Sequence, residues 1–229
     1  MASCGKRLGV IFDMDGVLVD TGWAHRLAWY DLAANEGLAM SDEFFRRTFG
    51  MQNAAIVPML RPGISAEELD RLSDWKERRY RELVQEHLEL ANGAEALLKD
   101  LKCHGFRLAI GSSAPPENVD IFWDRLSLGG YFDARVTKEE ITESKPSPQT
   151  FLKAAQKLAL PPACCAVIED AVPGVQAARA AGMPVVAVTT TRQREDLASA
   201  DRVVDSLSEL KASDFIALLQ KADNRMSAE

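Results

Sequence analysis

Long hydrophobic runs are missing from this 229-residue sequence: nowhere do about 18 apolar residues follow one another, so no segment reads as a membrane-spanning helix. Positive charge is in deficit, with 27 Lys and Arg against 34 Asp and Glu for a net charge of −7. No dense basic run offsets that balance. Extended electrostatic binding to nucleic acid or to an anionic membrane is therefore not expected, and the partner should be a small molecule. Cysteine is scarce: the four stand at 4, 103, 164 and 165, without the C-x-x-C spacing of a metal site. Cys164 and Cys165 lie inside an apolar stretch, which points to buried free thiols and a reducing compartment. Met1 to Arg7 leads straight into a strand-like run with no separate apolar signal segment, so a cytoplasmic location is the default expectation. Gly (14) and Pro (10) are too few for a repetitive or low-complexity chain, and no internal repeat is visible.

Hydrophobic residues, by contrast, make up 47% of the chain, enough for a full core in one large domain or in a domain carrying an insertion. Leu8–Phe12 is short, apolar and β-branched, and it ends in Asp13-Met14-Asp15-Gly16. Similar runs recur at 107–112, 163–168, 184–189 and 202–205, separated by helical patterns. Buried strands alternating with helices predict an α/β fold with a Rossmann-like parallel sheet. Helix starts are read at Asn92 with Glu95, at Ser147 followed by Pro148, and at the capping boxes Ser206 to Glu209 and Ser65 to Glu68.

Between Asp20 and Asn92 the texture changes. No strand-like run occurs there; Leu27, Ala34 and Leu38 fall at helical spacing, and Leu69, Leu72, Tyr80, Leu83 and His87 mark a long helical segment to about Leu90. The division is a core of residues 1–19 and 92–229 with an inserted helical cap domain at 20–91.

Open parallel sheets place ligands outside the carboxyl ends of their strands. The polar residues there are Asp13 and Asp15, Ser112 and Ser113, and Glu169 and Asp170, with Lys145 in the loop Ser144-Lys145-Pro146-Ser147-Pro148. Each has a bland reading. Asp-x-Asp-Gly after a strand also suits a turn, Glu169-Asp170 before Pro173-Gly174 also suits an acidic helix start, and a loop serine or lysine needs no special role. Acids crowded at one sheet edge, however, repel one another unless a cation neutralises them, and oxygen ligands select a hard ion, Mg²⁺ being the commonest.

The segments Val10-Ile11-Phe12-Asp13-Met14-Asp15-Gly16, Ile110-Gly111-Ser112-Ser113, Ser144-Lys145-Pro146 and Ile168-Glu169-Asp170 with Pro173-Gly174 together resemble the haloacid dehalogenase-like hydrolase superfamily. The similarity extends over essentially the whole chain and is greatest to the branch holding β-phosphoglucomutase and small sugar-phosphate phosphatases. The resemblance implies Asp13 as nucleophile, Asp15 as general acid/base, Ser112 as phosphoryl-oxygen donor and Lys145 as charge neutraliser. It implies a Mg²⁺ site from Asp13, Asp15, Glu169 and Asp170, substrate-binding roles for Gly16 and Ser113, and a cap that sets substrate choice. Within the cap, His25 and Lys76 resemble substrate-facing residues of that branch. The implied partner is a small phosphorylated metabolite; oligomeric state is not legible, and a monomer would suffice.

The chemistry of the residue types agrees with that reading. Phosphoryl transfer asks for an in-line nucleophile and compensation of equatorial charge. A carboxylate attacking a phosphate dianion needs cations on the phosphoryl oxygens, and an acid two residues on can protonate the leaving group and then activate water. The sequence departs from the mutase pattern at two places. Gly50-Met51-Gln52-Asn53 stands where a phosphate-binding Arg is expected, leaving Gln52 to bind a hydroxyl, and Pro115-Pro116 stands where a Lys is expected. Hydrolysis is therefore expected ahead of mutase chemistry, which stays as the alternative. Asp15 argues against a dehalogenase, whose halide leaving group needs no acid. A signalling receiver module would be much shorter and lack the insertion. A catalytically silent phospho-ligand binding protein would be expected to have lost an acid.

Overall fold

The computed structural model describes residues 7–226. The chain divides into two compact units, one running to Asp20 and resuming at Glu89, the other comprising Thr21–Leu88. Among the described residues no helix is long and apolar enough to cross a membrane.

The first unit is built on a six-stranded sheet: β1 Gly9–Phe12, β2 Arg107–Gly111, β3 Ala134–Val136, β4 Cys165–Glu169, β5 Val185–Val188 and β6 Arg202–Val204. All neighbours are parallel and their order is β3-β2-β1-β4-β5-β6. The β-branched and small apolar residues of β1, β4 and β5 are buried at every position, as strands covered on both faces must be. Ile11, Ala109, Val167 and Val185 share one face and join Phe151, Ala154, Val175 and Ala178 in one hydrophobic cluster. Residues of opposite parity, Val10, Phe12, Leu108, Ile110 and Ile168, are equally buried. From β1 the chain steps outward through β2 to β3, then returns to lay β4 on the other side of β1. The carboxyl ends of β1 and β4 therefore flank the topological switch point, where such sheets open a crevice.

The second unit holds four helices: α1 Gly22–Glu36, α2 Asp42–Thr48, α3 Asn53–Leu60 and α4 Ala66–Val84. Ser65 caps α4 by accepting a hydrogen bond from the Glu68 amide (3.2 Å), and Trp29, Leu32, Ile56, Val57 and Leu72 form the core.

Several local expectations need correction. The face of α1 that turns inward carries Ala28, Trp29, Leu32 and Ala33, while Leu27 is 45% exposed. Tryptophan drives the choice, because its large apolar area outweighs that of a leucine one position off the stripe. Helix α5, Ala94–Cys103, starts from Gly93 at φ 83° and not from Asn92. The Asn92 side chain instead donates to Ser206 Oγ (3.2 Å), and the Ser206 hydroxyl donates to the Asn92 carbonyl (3.1 Å). Helix α6 is Pro116–Arg125; α7, Gln149–Lys157, is capped at Pro148 and begins one residue later than the Ser147-Pro148 pattern predicts. The Ser206–Glu209 box forms both of its bonds, yet around a single 3-10 turn; α8 is Val172–Ala180, and α9 starts only at Ala212. Strand β3 was not anticipated, since three residues are too few to carry a pattern. Cys103 and Cys165 are free thiols, whereas Cys164 is disulfide-bonded, against the expectation of free thiols, because pairing leaves no mark in apolar patterning. Cys4 lies outside the described residues.

Candidate active site

Phe12 pairs with Ile168 in the β1–β4 register, and the Asp13 amide donates to the Ile168 carbonyl at 2.9 Å. That ladder sets Asp13 beside Glu169, one strand spacing away, and carries Asp170 just past the edge. Asp13, Glu169 and Asp170 each offer a carboxylate oxygen, and these oxygens lie within 4.8 Å of one another. All three are nearly or fully buried.

Lys145 enters from the loop before α7. Its Nζ donates to Asp13 Oδ1 (2.5 Å) and to Glu169 Oε1 (2.6 Å), and it stands 4.7 Å from the centroid of the Phe151 ring. Glu169 is fully engaged: its Oε2 accepts from the amides of Asp170 (2.8 Å) and Ala171 (2.9 Å), just ahead of α8. The bland reading of an acid at a helix start thus describes one oxygen of Glu169 and the lysine pair describes the other. Asp170 Oδ2 accepts from the Thr191 hydroxyl. Each of Asp13 and Asp170 is held through one oxygen, leaving Asp13 Oδ2 and Asp170 Oδ1 to a ligand.

One lysine against three buried carboxylates leaves an excess of negative charge. Burial, opposed by Lys145 and reinforced by Glu169, pushes the Asp13 carboxyl up to about 7. Burial together with the charges of Glu169 and Asp13 holds Asp170 well above the ordinary carboxylate range. Lys145 keeps its proton: burial opposes the charge, but Asp13 and Glu169 outweigh it and raise the ammonium. An all-oxygen, net-anionic, buried set of this kind fits a hard divalent cation such as Mg²⁺. The Asp15 carboxylate is not part of the three-carboxylate cluster; its charge nevertheless acts on Asp13.

Two glycines make the crowding possible. Gly16 has φ +83°, and a Cβ there would stand 2.2 Å from Asp170 Oδ2; a Cβ on Gly174 in α8 would fall 1.8 Å from Glu169 Oε1. The loop after β1 is tied by the Leu18 amide to the Met14 carbonyl (2.9 Å) and by the Gly16 amide to the Val19 carbonyl (2.7 Å). With Met14 fully buried, Asp13 and Asp15 flank it in a tight turn.

The Ser112 amide extends the β2–β3 ladder to the Val136 carbonyl (3.1 Å), and its Oγ accepts from the Ala114 amide (3.0 Å). Among the described residues Ser113 Oγ is buried with no hydrogen-bond partner, as is Thr150 Oγ1. In the helical unit, Lys76 is 2% exposed; its Nζ donates to Glu77 Oε1 (2.8 Å) and is hydrogen-bonded to His25 Nδ1 (2.8 Å). Glu77 Oε1 also accepts from Asn53 Nδ2 (2.8 Å), and the His25 ring stacks on Tyr80 at 4.0 Å. Gln52 caps α3 with its backbone only. Sequence reasoning singled out Lys76 and His25 and passed over Glu77 and Asn53, which the structure joins to them. It also passed over Thr191. The signal was present, since Thr189-Thr190-Thr191 follows the apolar run of β5 just as Ser112-Ser113 follows β2.

A model of the family described as haloacid dehalogenase-like hydrolase matches residues 10–188. The chain is 34% identical over 182 residues to the fructose-1-phosphate phosphatase YqaB of Escherichia coli (strain K12), covering 79% of this chain and 95% of that protein. It is 32% identical over 209 residues to the β-phosphoglucomutase of Bacillus subtilis (strain 168), covering 88% and 90%. Among solved structures, the β-phosphoglucomutase of Clostridium difficile superposes with a TM-score of 0.84 at 28% identity, over 96% of this chain and 99% of that one. The parallel sheet, the acids at its switch point and the family match over most of the sequence agree, and the chain belongs to the haloacid dehalogenase-like hydrolases.

Proposed function

We propose that this protein is a Mg²⁺-dependent phosphatase that hydrolyses a small phosphorylated metabolite, a sugar phosphate by class, through an aspartyl-phosphate. The observation that carries the reading is the buried grouping of Asp13, Glu169 and Asp170 around one lysine, with Asp13 Oδ2 and Asp170 Oδ1 left unbonded. Asp13 and Asp170 would hold the cation, with Glu169 keeping Lys145 and the β4 turn in place. When bound, the cation offsets the charge that otherwise keeps a carboxylate and a phosphate dianion apart.

In the proposed reaction one oxygen of Asp13 attacks phosphorus in line, forming a P–O bond to the enzyme as the bond to the substrate oxygen breaks, while the other is left to Lys145 and the cation. Lys145, already on Asp13 Oδ1, favours the ionised form of that carboxyl against its burial and would neutralise an equatorial phosphoryl oxygen. Asp15 donates its proton to the departing oxygen, then takes a proton from the water that cleaves the aspartyl-phosphate, which releases inorganic phosphate and restores both acids. The hydroxyls of Ser112 and Ser113 and the amides about Gly16 would bind the transferring group, and the helical unit would select the organic part.

The similarity to two β-phosphoglucomutases supports a second reading, a phosphosugar mutase. A mutase must hold a second phosphate; Gln52-Asn53 and Pro115-Pro116 stand where the Arg and the Lys for it are expected, and the cap cation that remains, Lys76, is paired with Glu77. Gln52 and Asn53 add no charge. Those facts favour hydrolysis. A phosphate-release screen over sugar phosphates, nucleotides and phosphoglycolate with Mg²⁺, run beside conversion of β-glucose 1-phosphate primed with a bisphosphate, decides between them. Release of inorganic phosphate as the main product is expected; isomerisation faster than release would establish the mutase.

A further inference from the structure

We propose that Thr191 is a positioning residue for the cation site, fixing the Asp170 carboxylate so that one oxygen faces the bound ion. The inference rests on the metal reading above and extends it to a residue in a different loop.

Asp170 is 2% exposed, and its only side-chain partner among the described residues is the Thr191 hydroxyl, which donates to Oδ2; the same hydroxyl lies 3.2 Å from the Asp170 carbonyl. Among the described residues no other side-chain hydrogen bond sets the rotation of this carboxylate about its Cβ–Cγ bond. The chemistry of the donor matters as much as its position. Lys145 already supplies a positive charge to Asp13 and Glu169. A second ammonium on Asp170 would compete with a divalent cation, whereas a neutral hydroxyl holds one oxygen and leaves the carboxylate charge for the ion. The Thr191 methyl has its own place: Cγ2 lies 3.1 Å from where a Cβ on Gly16 would stand, so the side chain wedges between Asp170 and the loop after β1.

Thr191 is itself anchored from outside the site. The Thr189 amide donates to the Val204 carbonyl (3.0 Å) and its hydroxyl donates to Asp205 Oδ1 (2.8 Å). Arg194 closes the same loop by donating to Asp205 Oδ1 (2.6 Å) and to the Val203 carbonyl (2.8 Å). The segment after β5 is thereby strapped to β6, and Thr191 projects from the strap toward Asp170.

The test compares wild type, Thr191→Val, Thr191→Ser and Asp170→Ala as full-length chains. Mg²⁺ affinity is read by titration calorimetry and by the Mg²⁺-induced rise in Tm, with circular dichroism as the check on folding. Thr191→Val keeps the shape and loses the donor, so Mg²⁺ affinity should fall roughly 10–100-fold, as for other groups that orient a metal ligand. Thr191→Ser restores the donor and should return affinity close to wild type, which a purely packing role would not produce. Thr191→Val binding Mg²⁺ as wild type does, while Asp170→Ala does not, overturns the role of Thr191 and leaves the metal reading standing. Wild-type affinity in Asp170→Ala overturns the metal reading itself, and the role of Thr191 with it.

Discussion

Each unit of this molecule buries a cluster of charged side chains, and the two clusters are settled differently. At the sheet edge, one lysine pairs with two of three carboxylates, and among the described residues two carboxylate oxygens have no hydrogen-bond partner. In the helical unit, Lys76 is paired with Glu77, and His25 and Asn53 are hydrogen-bonded to that pair. Buried charge that is locally balanced can be held by folding alone, at the cost of desolvation. Buried charge in excess must be offset by a bound proton or a counter-ion, so it marks a candidate place for a ligand. Under the proposed function, ion and phosphoryl chemistry would fall to the first cluster and selection by shape and hydrogen bonding to the second.

Breaking the unbalanced cluster should have the larger effect on turnover. Asp13→Asn keeps the shape but replaces the attacking oxygen, and phosphate release should fall by roughly 10³ or more, as loss of a catalytic nucleophile commonly costs. Steady-state release measured on a variant with wild-type circular dichroism checks this; turnover near wild type would remove Asp13 from the chemistry. Gly174→Ala reaches the same cluster indirectly. The added methyl would meet Glu169 Oε1 at 1.8 Å, while the other Glu169 oxygen is pinned by two amides. Either α8 shifts or Glu169 releases its partners, for a loss of about 1–3 kcal/mol typical of overpacking. Chemical denaturation would register that loss, and turnover should fall with it because Lys145 loses one of its two carboxylates. A stable, fully active Gly174→Ala would show that Glu169 has slack that the distances deny.

Much of the sheet-edge cluster was legible in the sequence because parallel α/β folds deliver strand ends to one place, so residues at 13, 112 and 169–170 could be brought together without knowing the strand order. Lys145 could be set beside them from its loop, but its role came only through the resemblance, since a loop lysine before Pro146 has no pattern of its own. What escaped were groups whose role lies in a partner: Thr191 orienting Asp170, Gly174 making room for Glu169, Glu77 consuming the charge of Lys76. Each is ordinary as a residue type, and its meaning depends on which side chain the fold sets against it. The inward face of α1 escaped for a different reason. In an alanine-rich helix several stripes have nearly the same hydrophobicity, and packing of Trp29 chooses among them.

The smallest expected effect on hydrolysis, and the sharpest probe of the comparison, comes from Glu77→Gln. Glutamine keeps an acceptor for Lys76 and Asn53 but removes the negative charge, so the helical unit then carries an uncompensated buried ammonium. Stability should fall by about 3–5 kcal/mol, the cost of leaving a buried charge without its counter-charge. If balance is what separates the two clusters, the variant now resembles the sheet edge with its sign reversed and should recruit an anion. Inorganic phosphate or a sugar bisphosphate should raise its Tm more than it raises that of wild type, and the preference for bisphosphates over monophosphates should increase several-fold. Phosphate release from the monophosphate of a neutral sugar should change little, because Asp13, Asp15 and Lys145 are untouched. The double replacement Lys76→Met with Glu77→Gln removes the orphaned charge and should recover stability without gaining anion sensitivity. Loss of stability in Glu77→Gln that no anion restores, with an unchanged substrate preference, would mean that the Lys76–Glu77 pair serves the packing of α4 and takes no part in choosing the substrate.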